Sequence, residues 1–242
     1  MWKKLIHYLL SEPRDHMMSI FLGLLCIEIF VFGPLSRDQR PLVTVINGIV
    51  FSFLLVVGVI AMAPRLHSQI SSAMVVAIAI ALRWLATLQG SAQLYLWDKI
   101  TSLAATLVFL ALVLWQVYKE SPVTAHKIRG SVAAYLLMAI VFAFSYNIIE
   151  LLHPGAFSSA PGNRLQVYQV NEFLYFSIAT LTTVGFGDIT AIHPFARSLV
   201  MLESIIGVLC PIILIGVLVS LRTERLRDKI GKSGHGGDVH GT

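Results

Sequence analysis

The residues best placed to do chemistry in this chain are Thr182-Thr183-Val184-Gly185-Phe186-Gly187-Asp188, a polar, glycine-punctuated run between two apolar stretches of membrane length. Gly185 and Gly187 can take positive φ at little steric cost, so a row of backbone carbonyls can turn toward one side. Thr183 can add a hydroxyl oxygen beneath them. Four copies around an axis would replace the water shell of a potassium ion. The chemistry on offer is the desolvation and passage of an ion. The other polar residues supply no nucleophile–base pair and no metal-ligand cluster, so an enzyme is not expected and no cofactor is needed.

Such a run works only if helices hold it at membrane depth, and composition points there. Of the 242 residues, 56% are hydrophobic and 13% charged, against about 25% charged in a soluble domain. Crossing a hydrocarbon core about 30 Å thick takes about 20 mostly apolar helical residues. Six segments qualify: Met17–Leu35, Leu42–Ala63, Ile70–Gln89, Ile100–Tyr118, Ser131–Leu152 and Arg197–Leu221. The expected fold is therefore an all-α membrane protein with six transmembrane helices. Ahead of them, Met1–Leu10 reads as an amphipathic helix on the membrane surface, since Ser11–Asp15 interrupt the apolar run too early for a cleaved signal peptide.

The basic residues set the orientation. With the N-terminus inside, the cytoplasmic segments hold Lys3, Lys4, Arg14, Arg65, Lys119, Lys127, Arg129, Arg222, Arg225, Arg227, Lys229 and Lys232, which is 12 of the 18 Lys and Arg. Arg37, Arg40, Lys99 and Arg164 fall outside, and Arg83 and Arg197 lie within or at the edge of spans. This bias puts both termini in the cytoplasm of a multi-pass protein of the cell membrane. It also places Thr183–Asp188 in the outer half of the bilayer, without using that motif. Membrane topology accounts for the positive net charge, so no nucleic-acid partner is expected. Cys26 and Cys210 lie inside spans, where they read as small buried apolar residues.

Composition shifts divide the chain into an interfacial segment, 1–16, a four-helix membrane domain, 17–119, a Pro-containing linker, 120–130, a pore domain, 131–222, and a tail, 223–242, basic at first and then rich in Gly and His. Within the pore domain, His153–Val170 is too polar and too broken by Pro and Gly to span, so it forms an outer turret. Asn171 is a good N-cap for a helix over Glu172–Thr182, with Glu172 favourably placed in its first turn. That helix is too short to cross the bilayer, so the run after it is re-entrant. Non-helical backbone at this depth requires burial in protein or an aqueous path.

About Lys127 to Arg227, the chain resembles the pore domain of the potassium channel family: outer helix, turret, pore helix, filter and inner helix. Thr183-Val184-Gly185-Phe186-Gly187-Asp188 is that family's signature with Phe in place of the commoner Tyr, and Leu174–Thr182 is similar to the pore helix of prokaryotic members. The resemblance implies potassium sites at the carbonyls of Thr183, Val184, Gly185 and Phe186, followed by Gly187, with the Thr183 hydroxyl closing the innermost site. It implies filter support from Thr182, from Asp188 hydrogen-bonded to Tyr175, and from Glu203 behind the filter. Some relatives carry a glutamate where this chain has Ala179, and Phe186 lacks the hydroxyl of Tyr, so a less braced filter is expected. In the inner helix, Gly207 falls where the family places a hinge, and Pro211 removes a helical hydrogen bond one turn later. Val208, Pro211, Ile215 and Val219 share one face, and Ile215 with Val219 would narrow the inner mouth.

The first four spans match the family layout only by number. Span four, Ile100–Tyr118, carries no charge between its ends, where Asp98, Lys99 and Lys119 lie. Steep voltage gating needs several charges per subunit, since each is worth about 2.3 kcal/mol per 100 mV. Weak or absent voltage dependence is therefore expected. Glu28 and Arg83 can pair with each other, or Arg83 can snorkel, with Asn47 able to join either arrangement. One filter per chain implies a homotetramer in contact with membrane lipids. The expected function is passive, selective potassium conduction. The alternatives are a non-selective cation channel, or a transporter or sensor subunit that reuses the pore fold.

Overall fold

The computed structural model describes residues 18–32, 41–62, 66–118, 125–159 and 170–234. The surface helix expected at Met1–Leu10, most of the outer turret and the last residues of the tail lie outside them. The described residues are helical almost throughout. Helix α1 covers residues 18–27 and runs on as a π-helical turn, Glu28–Phe32. It is followed by α2 (Pro41–Met62), α3 (Leu66–Gln89), α4 (Ala92–Tyr118) and α5 (Ala125–Leu152). A short strand β1 (Phe157–Ser159), helix α6 (Val170–Leu181), strand β2 (Ile189–Ala191) and the long helix α7 (Pro194–Gly234) complete it.

Among the described residues, four helices are long and apolar enough to cross a membrane: Ser72–Gln89, Ala92–Val117, Ile128–Leu152 and Pro194–Ile213. Met18–Val31 and Val45–Val59 are shorter apolar helices. These runs of Leu, Ile, Val and Ala hold helical geometry because it satisfies every backbone group internally. Gly90 breaks the series. Its φ of +62° ends α3, and its N–H donates to the Ala86 carbonyl at 3.0 Å, so α4 starts after a turn of only two residues.

Helix α5 is the hub, with α4 packed on one side and α6 on the other. Its buried Ala133, Ala134, Ala139 and Ala143 let neighbouring backbones come close. Larger side chains fill the seams. Phe21 of α1 meets Phe109 of α4 edge-on at 6.5 Å, and Phe51 of α2 meets Phe144 of α5 at 5.9 Å.

The structure revises several expected boundaries. Helix α5 begins at Ala125, so half of the 120–130 linker is helical. Helix α7 runs unbroken past Pro211 to Gly234, taking in the basic stretch expected as tail. Helix α4 begins at Ala92, two turns before the expected Ile100, because Ala92–Trp97 is apolar enough to join the span. Asp98 and Lys99 therefore lie inside the helix, not at its end. Both are buried and form an ion pair at 2.7 Å, with the Lys99 ammonium 4.3 Å from the centre of the Tyr95 ring. An opposite charge and a π-face together offset desolvation.

Glu28 and Arg83 act on each other through space, yet Glu28 Oε2 and Arg83 Nη1 are each buried without a hydrogen-bond partner. The Arg83 guanidinium carbon instead lies 4.1 Å from the centre of the Phe51 ring. Of the two expected arrangements, pairing with Glu28 or snorkelling of Arg83, the first is present only as attraction at a distance, and the guanidinium makes its close contact with the Phe51 ring.

At the other end of α5, the turret carries structure that its polar sequence concealed. Strands β1 and β2 pair antiparallel, with Phe157 opposite Ala191 and Ser159 opposite Ile189. The buried Glu150 holds the turn before β1, its two carboxylate oxygens accepting the N–H groups of Gly155 and Phe157 at 2.9 and 3.0 Å. The amides of Ile192 and His193 donate to the Ala156 carbonyl. The segment leaving the glycine run is thereby fastened to the end of α5.

Candidate functional site

Helix α6 is 12 residues long, about 18 Å at 1.5 Å per residue, shorter than the hydrocarbon core of a bilayer. It opens at Val170, which puts Asn171 inside the first turn instead of at the expected N-cap position. Its other end decides the geometry of the glycine run. The last four carbonyls of an α-helix have no partner within the helix itself, and here each finds one beyond it. Ile178 accepts the N–H and the hydroxyl of Thr182 at 3.0 and 2.7 Å. Ala179 accepts the amides of Val184 and Gly185 at 2.9 and 3.1 Å, and Thr180 accepts that of Thr183 at 2.9 Å. Leu181 accepts the hydroxyl of Tyr135, from α5, at 2.9 Å.

In a trans peptide the N–H and C=O point in opposite directions. Because the Val184 and Gly185 amides aim back at Ala179, the carbonyls of Thr183 and Val184 aim away from α6. That is the side on which residues 182–187 are exposed. Backbone angles continue the pattern: φ is +62° at Thr183, +52° at Gly185 and +77° at Gly187, with negative values at Val184 and Phe186 between them. Alternating hands gather successive amides on one face and carbonyls on the other. Thr183 is the only non-glycine among the described residues with positive φ. A β-branched residue resists that region, and the hydrogen bonds at Ala179 and Thr180 hold it there.

The aromatic and acidic neighbours take up positions around this run. The Tyr175 ring stacks on Phe186 at 5.9 Å with only 8° between planes. Asp188 Oδ1 accepts the N–H of the next residue, Ile189, at 3.1 Å. An open cleft of about 620 Å³ lies beside the run, between Phe176, Ala179 and Thr180 of α6 and Val200, Met201 and Ser204 of α7.

Glu203 is completely buried at the junction of three helices. It accepts hydrogen bonds from Tyr146 of α5, at 2.5 Å, and from Ser177 of α6. The Ser177 hydroxyl also lies 2.9 Å from the Ala139 carbonyl. One turn further along both helices, Gly207 meets Leu181. A Cβ on Gly207 would stand 2.2 Å from the Leu181 carbonyl oxygen and 2.9 Å from the Leu181 C and Cα. At the position where a hinge is expected, the structure has a close approach of two backbones that only glycine permits. Contacts 203–177 and 207–181 are in step, so α6 and α7 run side by side in the same direction.

Val208 is exposed and Pro211 half-buried on the remaining part of α7, while the side chains of Ile215 and Val219 lie outside the described residues. Tyr135, Tyr146 and Ser177 were not singled out in the sequence. Glu203, an acid in an apolar span, signalled that hydroxyl donors must exist, but nothing local shows that Tyr146, 57 residues away, is one of them.

Residues 133–224 match the family model of an ion channel. Over 79 residues the chain is 33% identical to the inward rectifier potassium channel Kirbac3.1 of Paramagnetospirillum magnetotacticum, which covers 31% of this chain and 22% of that protein. It is also 33% identical over 85 residues to Protein LctB of Geobacillus stearothermophilus, covering 34% of this chain and 61% of that protein. The chain thus spans less than two thirds of the length of each of these relatives. No solved structure matches it. With the four membrane-length helices, these similarities support a membrane protein whose residues 133–224 resemble an ion channel domain.

Proposed function

We propose that the chain is one subunit of a homotetrameric potassium channel, passing the ion between carbonyls of Thr183, Val184, Gly185 and Phe186. The observation that carries this reading is the alternation of φ through Thr183, Gly185 and Gly187, together with the two amides held by Ala179. It turns the intervening carbonyls toward an exposed side, where three further copies would close the rings. The open cleft beside the run offers room for a neighbouring subunit. Similarity to a potassium channel supports the choice of ion. In this reading six helices span the cell membrane with both termini in the cytoplasm, and α6 is a re-entrant pore helix. Thr182, Tyr175, Asp188 and Glu203 support the filter, and the inner mouth lies at Val208, Pro211, Ile215 and Val219.

Purified protein in liposomes carrying a potassium or a sodium gradient tests the reading. Potassium flux should exceed sodium flux by orders of magnitude, and Gly185→Asp or Gly187→Asp should abolish it. A side chain at these positive φ values is strained, and a carboxylate in the carbonyl row would trap the cation. Equal fluxes of the two ions would identify a non-selective cation channel. No flux from folded, assembled protein would favour a transporter or sensor subunit.

Voltage should matter little. The charges inside α4 are Asp98 and Lys99, an adjacent pair whose charges cancel. Moving the helix therefore transfers almost no net charge across the field. Open probability measured in planar bilayers between −100 and +100 mV, the range of about 2.3 kcal/mol per charge either way, should change only shallowly. A steep sigmoid would contradict this.

A further inference from the structure

We propose that Tyr135 is a positioning residue for the carbonyl row: its hydroxyl, bonded to the Leu181 carbonyl, fixes the peptide from which Thr183–Gly187 hangs. The functional consequence rests on the conduction reading, whereas the structural one rests on geometry alone.

Four consecutive peptide planes lead into the row. The plane joining Leu181 to Thr182 is held by Tyr135 at its carbonyl and by Ile178 at its amide. The next three are held only at their amides, by Thr180 once and Ala179 twice. Every one of those amide bonds runs back to α6 itself and joins residues no more than six apart, so they fasten the segment to the end of α6 and to no other helix. The Tyr135 bond spans 46 residues and reaches a different helix. It is the hydrogen bond that ties the first plane to the scaffold.

Two features make it hard to replace. Leu181 is buried, so no bulk water can take over as donor to its carbonyl. On the opposite side Gly207 leaves no space for another group, since even a Cβ would come within 2.2 Å of that oxygen. The Leu181 carbonyl is thus trapped between one donor and one glycine, and its direction fixes where the following carbonyls begin. Tyr135 is only half-buried, so its position does not come from core packing alone.

Tyr135→Phe removes the hydroxyl and keeps the ring. In the full-length protein, assembly size should match the wild type. Amide exchange at Thr182–Gly185, measured by mass spectrometry, should quicken about tenfold, the factor expected for one lost hydrogen bond. The potassium-to-sodium flux ratio in liposomes should fall by about the same factor. Ser52→Ala, which removes a hydroxyl bonded only within α2 to the Gly48 carbonyl, should change neither. Unchanged exchange in Tyr135→Phe would overturn the proposal, and so would loss of the folded assembly. Faster exchange with an unaltered flux ratio would also overturn it, leaving Tyr135 a purely structural role. If the wild type itself passes no potassium, the conduction reading fails, while the exchange measurement still decides whether Tyr135 positions this segment.

Discussion

Gly207→Ala is expected to cost about 3 kcal/mol and to abolish potassium flux, while Gly216→Ala in the same helix is tolerated. Inserting a methyl group into a well-packed contact costs about 1–3 kcal/mol, sometimes more. Here the methyl would meet backbone, at 2.2 Å from the Leu181 oxygen and 2.9 Å from its Cα, so no side chain can swing aside. Relief requires α6 and α7 to separate. Separation breaks the Glu203–Ser177 bond one turn away and displaces the Leu181 carbonyl that Tyr135 holds. For a domain whose total stability is about 5–15 kcal/mol, that is a large fraction. Gly216 has nothing within 4 Å of its built Cβ. Alanine there should be neutral or should gain up to about 1 kcal/mol from helix propensity. Thermal unfolding of both variants in detergent, with flux in liposomes, checks the pair. Gly207→Ala with wild-type thermal stability but altered opening would mean that the glycine serves as a hinge and not as a packing contact.

The second large effect is expected at Glu203. Glu203→Ala should destabilise the protein by about 3–5 kcal/mol, combining a core cavity with a buried hydroxyl that has lost its acceptor. The two donors respond differently. Ser177 can turn to the Ala139 carbonyl, already 2.9 Å away. Tyr146 is completely buried, and its hydroxyl donates to Glu203. Glu203→Gln keeps the volume and one carbonyl acceptor, so about 1–2 kcal/mol is expected. Adding Tyr146→Phe to Glu203→Ala removes the stranded hydroxyl and should recover about 1 kcal/mol, a coupling that a double-mutant cycle measures. Additive losses would mean that the two residues do not act on each other. Because Glu203, Tyr146 and Ser177 join all three helices around the glycine run, flux should fall in step with stability.

Much of this protein is legible in its sequence, because the properties concerned are local. Twenty apolar residues in a row make a helix in lipid whatever surrounds them, and Gly185 and Gly187 announce positive φ by composition alone. The proposal that Thr183–Asp188 binds ions rests on those residues and their spacing. The sparseness of charge in α4 is equally visible, although its buried Asp98–Lys99 pair appears only once the helix is seen to start at Ala92.

Other features exist only in the tertiary structure. Thr183 adopts φ +62° against its own preference because α6 ends where its carbonyls can hold the following amides. Gly207 is needed for what it touches, and the touching group belongs to a helix 26 residues earlier in the chain. Glu203, Tyr146 and Ser177 form one junction from three helices, just as β1 and β2 pair across the whole of α6. Periodicity and composition report each residue's preference along its own helix. Which hydroxyl meets which carboxylate depends on the register between helices, and that register is set by small buried residues acting over long stretches of chain. The sequence by itself determined apolar helices of membrane length and a glycine-punctuated run between two of them; only packing decided what holds that run in place.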